Sequence, residues 1–446
     1  MKHSLRLFFQ LTVIIILITV GSSLSAQQSP IQYFRSYSKK GINVYETTKT
    51  DTTSYTGLKV RIGGNFTQDF QGLRDQNNAI PVVVGGVNTN QLATLTSGFN
   101  LAMANLNIDA QLQDGIRMNM TMYLSTRHHQ DAWIKGGYIQ FDKLLFLKSR
   151  FIDSLMKNFT IKVGDYEVDY GDQHFRRTDG GNSMYNPFME NYIMDEFATE
   201  IGGEIYYHHK SGFLAMIGIT DGQLNPTVIA STQIDTATGQ LNRYDPAFHG
   251  KIGYDKQVNK NLRFRITGSV YVNKSSPGNT LFFGDRTGSH YFFVMENTAA
   301  TSDGNAWSGR YNPQFSEQVQ TFMVNPFVKY KGLEFFGTYE MAQGRMITEV
   351  KMRMATQYAA DLIYRFGQQK ESFWIGLRYN SVMTTLPLNQ TDVTINRVAG
   401  SVGWFVTNNI MMKAEYVYQQ YKNFANTDIR SGGKFSGYML EASIGF

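Results

Sequence analysis

The sequence has no cysteine among its 446 residues, and charged side chains make up only 17% of it. The absence of cysteine excludes structural disulfides, thiolate metal sites and a lipid-modified N-terminal cysteine. The charged fraction is well below the roughly 25% of an ordinary soluble domain, which disfavours a cytosolic enzyme. After residue 20, no segment approaches the ~18 consecutive apolar residues of a transmembrane helix. The mean hydropathy of -0.30 also disfavours a helical membrane protein.

Aromatic residues and glycine are abundant instead. The chain contains 26 Tyr, 31 Phe and 4 Trp, with 41 Gly against 9 Pro. This composition favours β-structure. A β-barrel that turns alternate residues toward lipid accounts for the composition and for the missing apolar runs together. The formal net charge of +6 is mild for so long a chain, so no nucleic-acid partner is expected.

The first 26 residues have the three-part pattern of a secretory signal peptide. A short basic start precedes an apolar centre at 11–20 and a small-residue end at 21–26. The centre is too short to favour a membrane anchor. Residues 27–56 are polar without a sustained period and are interpreted as a periplasmic extension. We expect the transmembrane barrel to occupy residues 57–446.

Apolar and polar residues alternate with a period of two from residue 57 onward, as strands between lipid and a barrel interior require. The clearest segments are 58–65, 115–126, 261–273 and 371–381. A soluble β-sandwich would show the same alternation. It would not explain the leader or the regular exchange of tight turns and long polar connections. The fold class predicted is therefore all-β, an antiparallel transmembrane barrel.

Tight turns and long polar connections alternate along the chain, as in outer-membrane barrels. Strands placed between them number sixteen, which would put both termini in the periplasm. A hairpin at 280–297 would raise the count to eighteen. Pro326 lies inside one predicted strand, where it must remove a ladder hydrogen bond, so this strand has the weakest support.

One predicted turn is longer than the others and has helical spacing. Residues 143–158 carry leucine, isoleucine, methionine and phenylalanine side chains at intervals of three and four. We expect a short amphipathic helix on the periplasmic side. Packing of its apolar stripe against the barrel rim is favoured over the docking of a partner.

The end of the chain carries the most specific local pattern. Five apolar residues occupy every second position and finish on a terminal phenylalanine: Tyr438, Leu440, Ala442, Ile444 and Phe446. This ending resembles the β-signal by which insertion machinery recognises outer-membrane barrels. We therefore expect the barrel insertion machinery and outer-membrane lipid among the partners.

Fixed charges inside a barrel would determine which solutes cross it. On the predicted strand phases the inner wall is predominantly basic. The main pore-lining candidates are Lys59, Arg61, Arg117, Arg263, Arg265 and Arg378.

The connection at 169–198 follows the fifth predicted strand and is expected to fold inward as a constriction loop. Its candidate residues are Asp172, Arg176, Arg177, Asp179, Glu190, Asp195 and Glu196. A largely acidic loop opposite a basic wall would produce a transverse electric field. Alternatively, the loop lies outside the barrel and water solvates its charges.

The chain resembles the porin-like outer-membrane barrels of Bacteroidota. The resemblance covers most of the mature chain and is densest at 41–46, at 127–129 with 136–140, and at 161–204. The last stretch contains Val163-Gly164-Asp165, Tyr170-Gly171-Asp172, His174-Phe175-Arg176-Arg177, Tyr185-Asn186-Pro187-Phe188 and Glu200-Ile201-Gly202-Gly203-Glu204. The resemblance implies an outer-membrane channel but names no substrate.

These patterns predict an outer-membrane porin that passes small hydrophilic solutes or ions by passive diffusion. No enzyme is expected, because the histidines lie in loop-like sequence without a nucleophile motif. A metal site at His128-His129 is disfavoured, since neighbouring strand residues point to opposite faces and no further ligands complete a set. No cofactor is expected. A homotrimer or other envelope proteins are compatible as partners.

The rival prediction is a closed barrel that acts as a scaffold or accessory subunit of an outer-membrane complex. Several residues on predicted inward positions are bulky and apolar, which a wide aqueous pore would not favour. They are Phe327, Phe336, Ile363 and Met411. Either the strand phases shift there or the lumen is partly filled.

Overall fold

The computed structural model describes residues 30–100, 102–125, 132–225, 227–367, 371–388 and 390–446, so the predicted leader lies outside it. Within these residues sixteen antiparallel strands form one closed barrel, and the prediction is confirmed. The strands are β1 (Lys59–Gln76), β2 (Met103–Gln113), β3 (Ile116–Ser125), β4 (Ala132–Phe141), β5 (Phe159–Glu167), β6 (Thr199–His208), β7 (Phe213–Thr220), β8 (Ala247–Asn259), β9 (Leu262–Asn273), β10 (Gln318–Tyr330), β11 (Leu333–Arg345), β12 (Arg353–Phe366), β13 (Phe373–Thr385), β14 (Asp392–Phe405), β15 (Ile410–Lys422) and β16 (Lys434–Gly445). Pairing of β1 with β16 closes the sheet and leaves no free barrel edge.

Side chains alternate between the two surfaces of the wall, as the sequence predicts. In β13, Leu377 is exposed on the outer surface, whereas Trp374 and Arg378 are buried inside. The C-terminal stripe follows the same rule, and all five of its residues are exposed on the outer surface. Because lipid takes the place of water around such a barrel, these side chains are placed to contact acyl chains.

The connection between β9 and β10 decides between sixteen and eighteen strands. Residues 274–317 are described throughout and contain turns but no barrel strand, so the alternative hairpin at 280–297 is absent. Pro326 lies within β10, where the pairing with β11 is interrupted between Val324 and Phe327. The Asn325 side chain donates instead to the Gly337 carbonyl, at 3.2 Å. An amide side chain thus replaces the missing backbone donor.

The connection between β4 and β5 contains a 3-10 turn, Leu145–Leu147, and one short helix, α1 (Arg150–Leu155). Ser149 caps α1, because its hydroxyl accepts a hydrogen bond from the Ile152 amide. Within the apolar stripe, Met156 is buried at 3% exposure and Leu144 and Ile152 are half-buried, so the expected packing against the rim is wrong only for the remaining residues. Phe151 is 74% exposed, and Leu145, Phe146, Leu147 and Leu155 are exposed as well. No helix in the described part of the chain is long and apolar enough to span a membrane.

The interior of the barrel holds the protein core. The connections 168–198 and 274–317 pack against the inner surfaces of β8 to β16, and residues 179–185 also lie against β1 and β2. The two connections form one apolar cluster with inward side chains such as Ile363, Trp374 and Met411. The inward apolar residues predicted on β10, β11, β12 and β15 are all buried, at 1% exposure or less. The strand phases therefore hold, and the lumen is partly filled.

Candidate solute passage

A polar cavity of about 280 Å³ lies on the opposite side of the lumen, inside β2 to β6; we call it the lumen cavity. Its lining follows the inner face of β5 from Thr160 to Glu167, almost the whole strand. Those residues span about 23 Å along the strand at ~3.3 Å per residue. The lumen cavity therefore follows most of β5, and the connection 168–198 and the segment before β1 form its other walls.

Amide and hydroxyl groups dominate the strand side of the lumen cavity. Short cross-strand hydrogen bonds fix their orientation. The Asn119 amide donates to Asp109 at 2.9 Å, and the Thr121 hydroxyl donates to Asn107 at 2.7 Å. The Tyr37 hydroxyl donates to the second oxygen of Asp109, also at 2.7 Å. Such groups exchange hydrogen bonds with water and with hydrophilic solutes.

Arg35 brings a positive charge to this cavity from the segment before β1. Its guanidinium donates to the carbonyl oxygens of Gly41 and Phe175 and lies 4.0 Å from the centre of the Tyr185 ring. Among the described residues, no carboxylate forms an ion pair with it. Burial lowers the pKa of Arg35, while Tyr185 and Glu167 oppose that shift. Arg35 is thus a cation without a direct counter-ion on the lining.

Glu167 supplies a negative charge on the same lining, at the far end of β5. Its carboxylate lies 3.7 Å from Nε of Arg177 and 4.0 Å from Nδ1 of His174. The side chain keeps 29% of its surface exposed. Arg35 and Glu167 together give the lumen cavity charges of both signs.

Three of the predicted pore-lining residues, Lys59, Arg61 and Arg117, lie on β1 and β3. Lys59 donates to the Pro30 carbonyl at the barrel end, and the Arg61 guanidinium lies 4.6 Å from the Phe34 ring. Arg117 donates to the Gln140 side chain at 2.7 Å. Of the six pore-lining candidates, only Arg117 contributes to the described lining of the lumen cavity.

The other three candidates, Arg263, Arg265 and Arg378, form ion pairs inside the barrel. Arg263 contacts Asp255 of β8, and Arg378 contacts Asp361 of β12, each at 2.7 Å. Arg265 reaches Asp172 of the connection 168–198 at the same distance. Wall and loop charges therefore meet directly here. The separation across an open gap that the expected transverse field needs is not found at these residues.

The predicted constriction loop lies inside the barrel, and its charges are buried. Arg176 donates to Glu334 of β11 at 2.9 Å. Arg177 forms ion pairs with Asp179 and Asp195 within the loop. Burial alone would lower the pKa of Arg177, but the two aspartates raise it well above its usual value.

Arg310 completes this group from the connection 274–317, and the sequence interpretation did not identify it. Its guanidinium lies 2.6 Å from Asp195 and 2.7 Å from Glu190. Burial would raise the pKa of Asp179, but Arg177 and Arg310 hold it well below its usual range. Glu196 differs, because burial and the neighbouring Glu340 raise its pKa well above the ordinary value. Glu196 therefore does not carry a negative charge as readily as the other acidic residues of the predicted constriction loop.

The segment before β1 enters the lumen. Asn43 donates to Glu334 at 2.7 Å and accepts from Arg176 at 2.9 Å. Glu46 accepts from Arg265 at 2.9 Å. Burial would raise the pKa of Glu46, but Arg265 and Lys251 lower it to about 2. Both Asn43 and Glu46 lie in the motif at 41–46 that carries the family resemblance, and that motif was the available signal for this contact.

Asp69, His290 and Glu441 form one buried group that could in principle hold a metal ion. The imidazole Nδ1 of His290 lies 2.6 Å from Asp69, and Nζ of Lys413 lies 3.0 Å from Glu441. Burial would lower the pKa of His290, but Asp69 raises it to about 9. Each of the two carboxylates therefore already has a cationic partner, His290 for Asp69 and Lys413 for Glu441, so the group does not need a metal ion for its contacts. The His128-His129 pair lies outside the described residues.

No protein-family model matches the sequence, and no curated protein matches it significantly. Among solved structures, the outer membrane channel DcaP of Acinetobacter baumannii superposes with a TM-score of 0.50 at 12% identity, covering 88% of this chain and 99% of that one. OprB of Pseudomonas putida gives a TM-score of 0.50 at 10% identity, covering 87% and 94%. At these identities the likeness shows the fold alone. It agrees with the predicted outer-membrane localisation: the chain has the fold of the porin-like outer-membrane barrels of Gram-negative bacteria.

Proposed function

We propose that this protein is an outer-membrane porin through which small hydrophilic solutes or ions diffuse passively. The observation that carries the proposal is the lumen cavity, whose polar lining follows β5 from Thr160 to Glu167. A closed barrel isolates such a cavity from lipid, so a solute in it meets amides, hydroxyls and fixed charges together with aromatic rings such as Phe34 and Phe175. The likeness of the fold to a solved outer membrane channel supports the same function.

The dimensions of the lumen cavity favour small solutes. At about 280 Å³, the lumen cavity lies near the lower end of the roughly 300–1,000 Å³ of ordinary ligand sites, so it favours small molecules over large ones. Arg35 and Glu167 lie on the lining, so an ion would pass charges of both signs. No reaction is part of this proposal, and the protein acts as a non-enzymatic channel. The motifs at 41–46 and 161–204 support its assignment to the Bacteroidota porin-like family.

A scaffold or accessory subunit of an outer-membrane complex is the second candidate. The filled side of the lumen favours it, because two long connections and an apolar cluster block most of the cross-section there. The segment before β1 adds further contacts, through Asn43 and Glu46. A barrel of this kind would be rigid and would conduct nothing.

Reconstitution in planar lipid bilayers separates the two candidates. The porin proposal predicts discrete conductance steps that scale with salt concentration, and swelling of protein-loaded liposomes in small sugars or amino acids. A matched pair on β3 tests the route. Thr121→Trp places bulk on the lining of the lumen cavity, whereas Met120→Trp places the same bulk on the lipid face. Only the first should lower the conductance. A correctly folded parent without conductance would refute the porin and favour the scaffold.

A further inference from the structure

Residues 143–158, here called the rim segment, expose five large apolar side chains. Phe151 is 74% exposed and Phe146 54%, with Leu145, Leu147 and Leu155 between 43% and 50%. The lipid-facing residue Leu377 of β13 is 63% exposed by the same measure. A contiguous apolar patch of this kind on a soluble surface marks a contact with a membrane or a partner.

Both ends of the rim segment are fixed to the barrel. The Asp142 and Lys143 amides donate to the Gly115 carbonyl in the turn between β2 and β3, and Lys143 forms an ion pair with Asp114. At the other end, the Asn158 carbonyl accepts from the His208 amide of β6. The position of the exposed side chains relative to the barrel is therefore fixed, and the segment is not a free loop.

This rim is the end of the barrel that carries the short turns. Outer-membrane barrels place short turns in the periplasm and long loops outside. β4 reaches the rim segment through Ile139, which is exposed on the lipid face. The exposed apolar residues of the rim segment therefore follow the lipid-facing residue Ile139 closely along the chain, at the end of the barrel that carries the short turns.

The charges of the rim segment are those of an interfacial membrane anchor. Lys148, Arg150 and Lys157 are exposed, and Asp153 is the only acidic residue between 143 and 158. Exposed basic residues beside exposed leucine and phenylalanine are typical of segments that lie in the headgroup region of anionic membranes. A protein partner would not require this excess of positive charge beside an apolar patch.

We propose that the rim segment lies in the periplasmic leaflet of the outer membrane and binds anionic phospholipids. Phe146, Phe151 and the leucines insert between acyl chains, and the exposed cations contact headgroup phosphates. The site anchors the rim beside β4 and β5, two strands that line the lumen cavity. It does not depend on whether the lumen conducts.

The absence of cysteine from the chain permits a direct test with single labels. Phe151→Cys and, as control, Ser211→Cys in the short turn between β6 and β7 are labelled with an environment-sensitive fluorophore. Each protein is reconstituted in phosphatidylcholine vesicles with and without phosphatidylglycerol. Quenching is then measured with aqueous iodide and with lipid that carries a spin label near its headgroup. Heat-dependent electrophoretic mobility shows that each barrel is folded.

The label at 151 should be quenched several-fold less by iodide and several-fold more by the spin-labelled lipid than the label at 211. Phosphatidylglycerol should increase the lipid quenching. Charge reversal of Lys148, Arg150 and Lys157 to glutamate should remove that increase. Equal iodide quenching at the two labels would overturn the proposal. So would shielding of 151 only in native outer membranes and not in vesicles, because a protein would then cover the segment. No effect of phosphatidylglycerol would overturn the binding of anionic lipid.

Discussion

Arg265 of β9 and Asp172 of the connection 168–198 form a buried bidentate ion pair, with both nitrogen to oxygen distances at 2.7 Å. The two residues are 93 positions apart in the chain. The pair ties the loop that fills the lumen to the barrel wall. Arg265 also contacts Glu46 and Asp255, so the loss of Asp172 leaves its charge partly compensated and should cost less than the about 3–5 kcal/mol of an isolated buried pair.

We therefore expect Asp172→Asn to loosen the loop and to lower the temperature at which the barrel unfolds. Channel recordings should show more frequent current fluctuations, because the loop samples more positions in the lumen. The matched control is Asp428→Asn, which removes the partner of Arg430 in a partly exposed pair and should cost ~1 kcal/mol or less. Equal melting temperatures for the two variants, measured by the change in electrophoretic mobility on heating, would contradict an anchoring role for the Arg265–Asp172 pair.

The alternation in the sequence was sufficient to predict which way Arg265 points. The direction in which a strand residue points is a local property of the sequence. The barrel, the sixteen strands and the C-terminal stripe could therefore be predicted from the two-residue alternation and from the turns that separate the strands. The partner of Arg265 could not, because loop contacts depend on the closed barrel that brings distant residues together. Arg310 was missed for the same reason, since it lies in polar sequence without a period, whereas Asn43 lies in the motif at 41–46, which did not indicate its partners. The exposure of Phe151 was missed because helical spacing shows an apolar face but not what covers it.

Ion selectivity should respond to charges on the lumen cavity and not to the paired arginines of the filled side. Arg35→Glu should shift the reversal potential under a salt gradient toward cation selectivity, because it removes a cation that has no direct counter-ion. Glu167→Gln should shift it toward anions. Both shifts should shrink at high salt, where screening shortens to ~3 Å at 1 M.

The control for selectivity is Arg243→Gln, since the Arg243 side chain is 79% exposed and does not line the lumen cavity. It should leave the reversal potential unchanged. If Arg35→Glu behaves like this control, the conduction path does not pass Arg35.

Stability should fall at alkaline pH because of His290. The pKa of His290 is about 9 in the folded protein against an ordinary value of 6.5. The protonated imidazole is therefore more stable beside Asp69 than it is in water. A raised folded pKa gives a contribution that is complete below pH 6.5 and is lost as the pH rises through 9. Protease cleavage within 274–317 should therefore become faster between pH 7 and pH 10. His290→Asn should be cleaved faster at pH 7 and should show little further change with pH. A parallel pH response in parent and variant would exclude His290 as the cause.

The last strand should be required for assembly. Phe446 exchanges backbone hydrogen bonds with Gly64 of β1 at 2.9 and 3.0 Å, directly beside the seam that closes the barrel. Deletion of Phe446 should lower the amount of protein in the outer membrane, whereas Phe446→Tyr, which keeps the ring, should be close to normal. Quantitative immunoblots of membrane fractions give the comparison. Normal insertion after deletion of all of β16 would be incompatible with the closed topology.

Passage of solute through the lumen cavity is tested most directly by blocking it from the inside during a recording. A single cysteine is introduced at Thr121, on the lining, or at Met120, on the lipid face, of a chain that has no other cysteine. A bulky water-soluble thiol reagent is then added to an open channel. The conductance of Thr121→Cys should fall in one irreversible step for each barrel, while Met120→Cys and the parent stay unchanged. Full modification of Thr121→Cys, verified by mass spectrometry, without any loss of current would contradict a path through the lumen cavity.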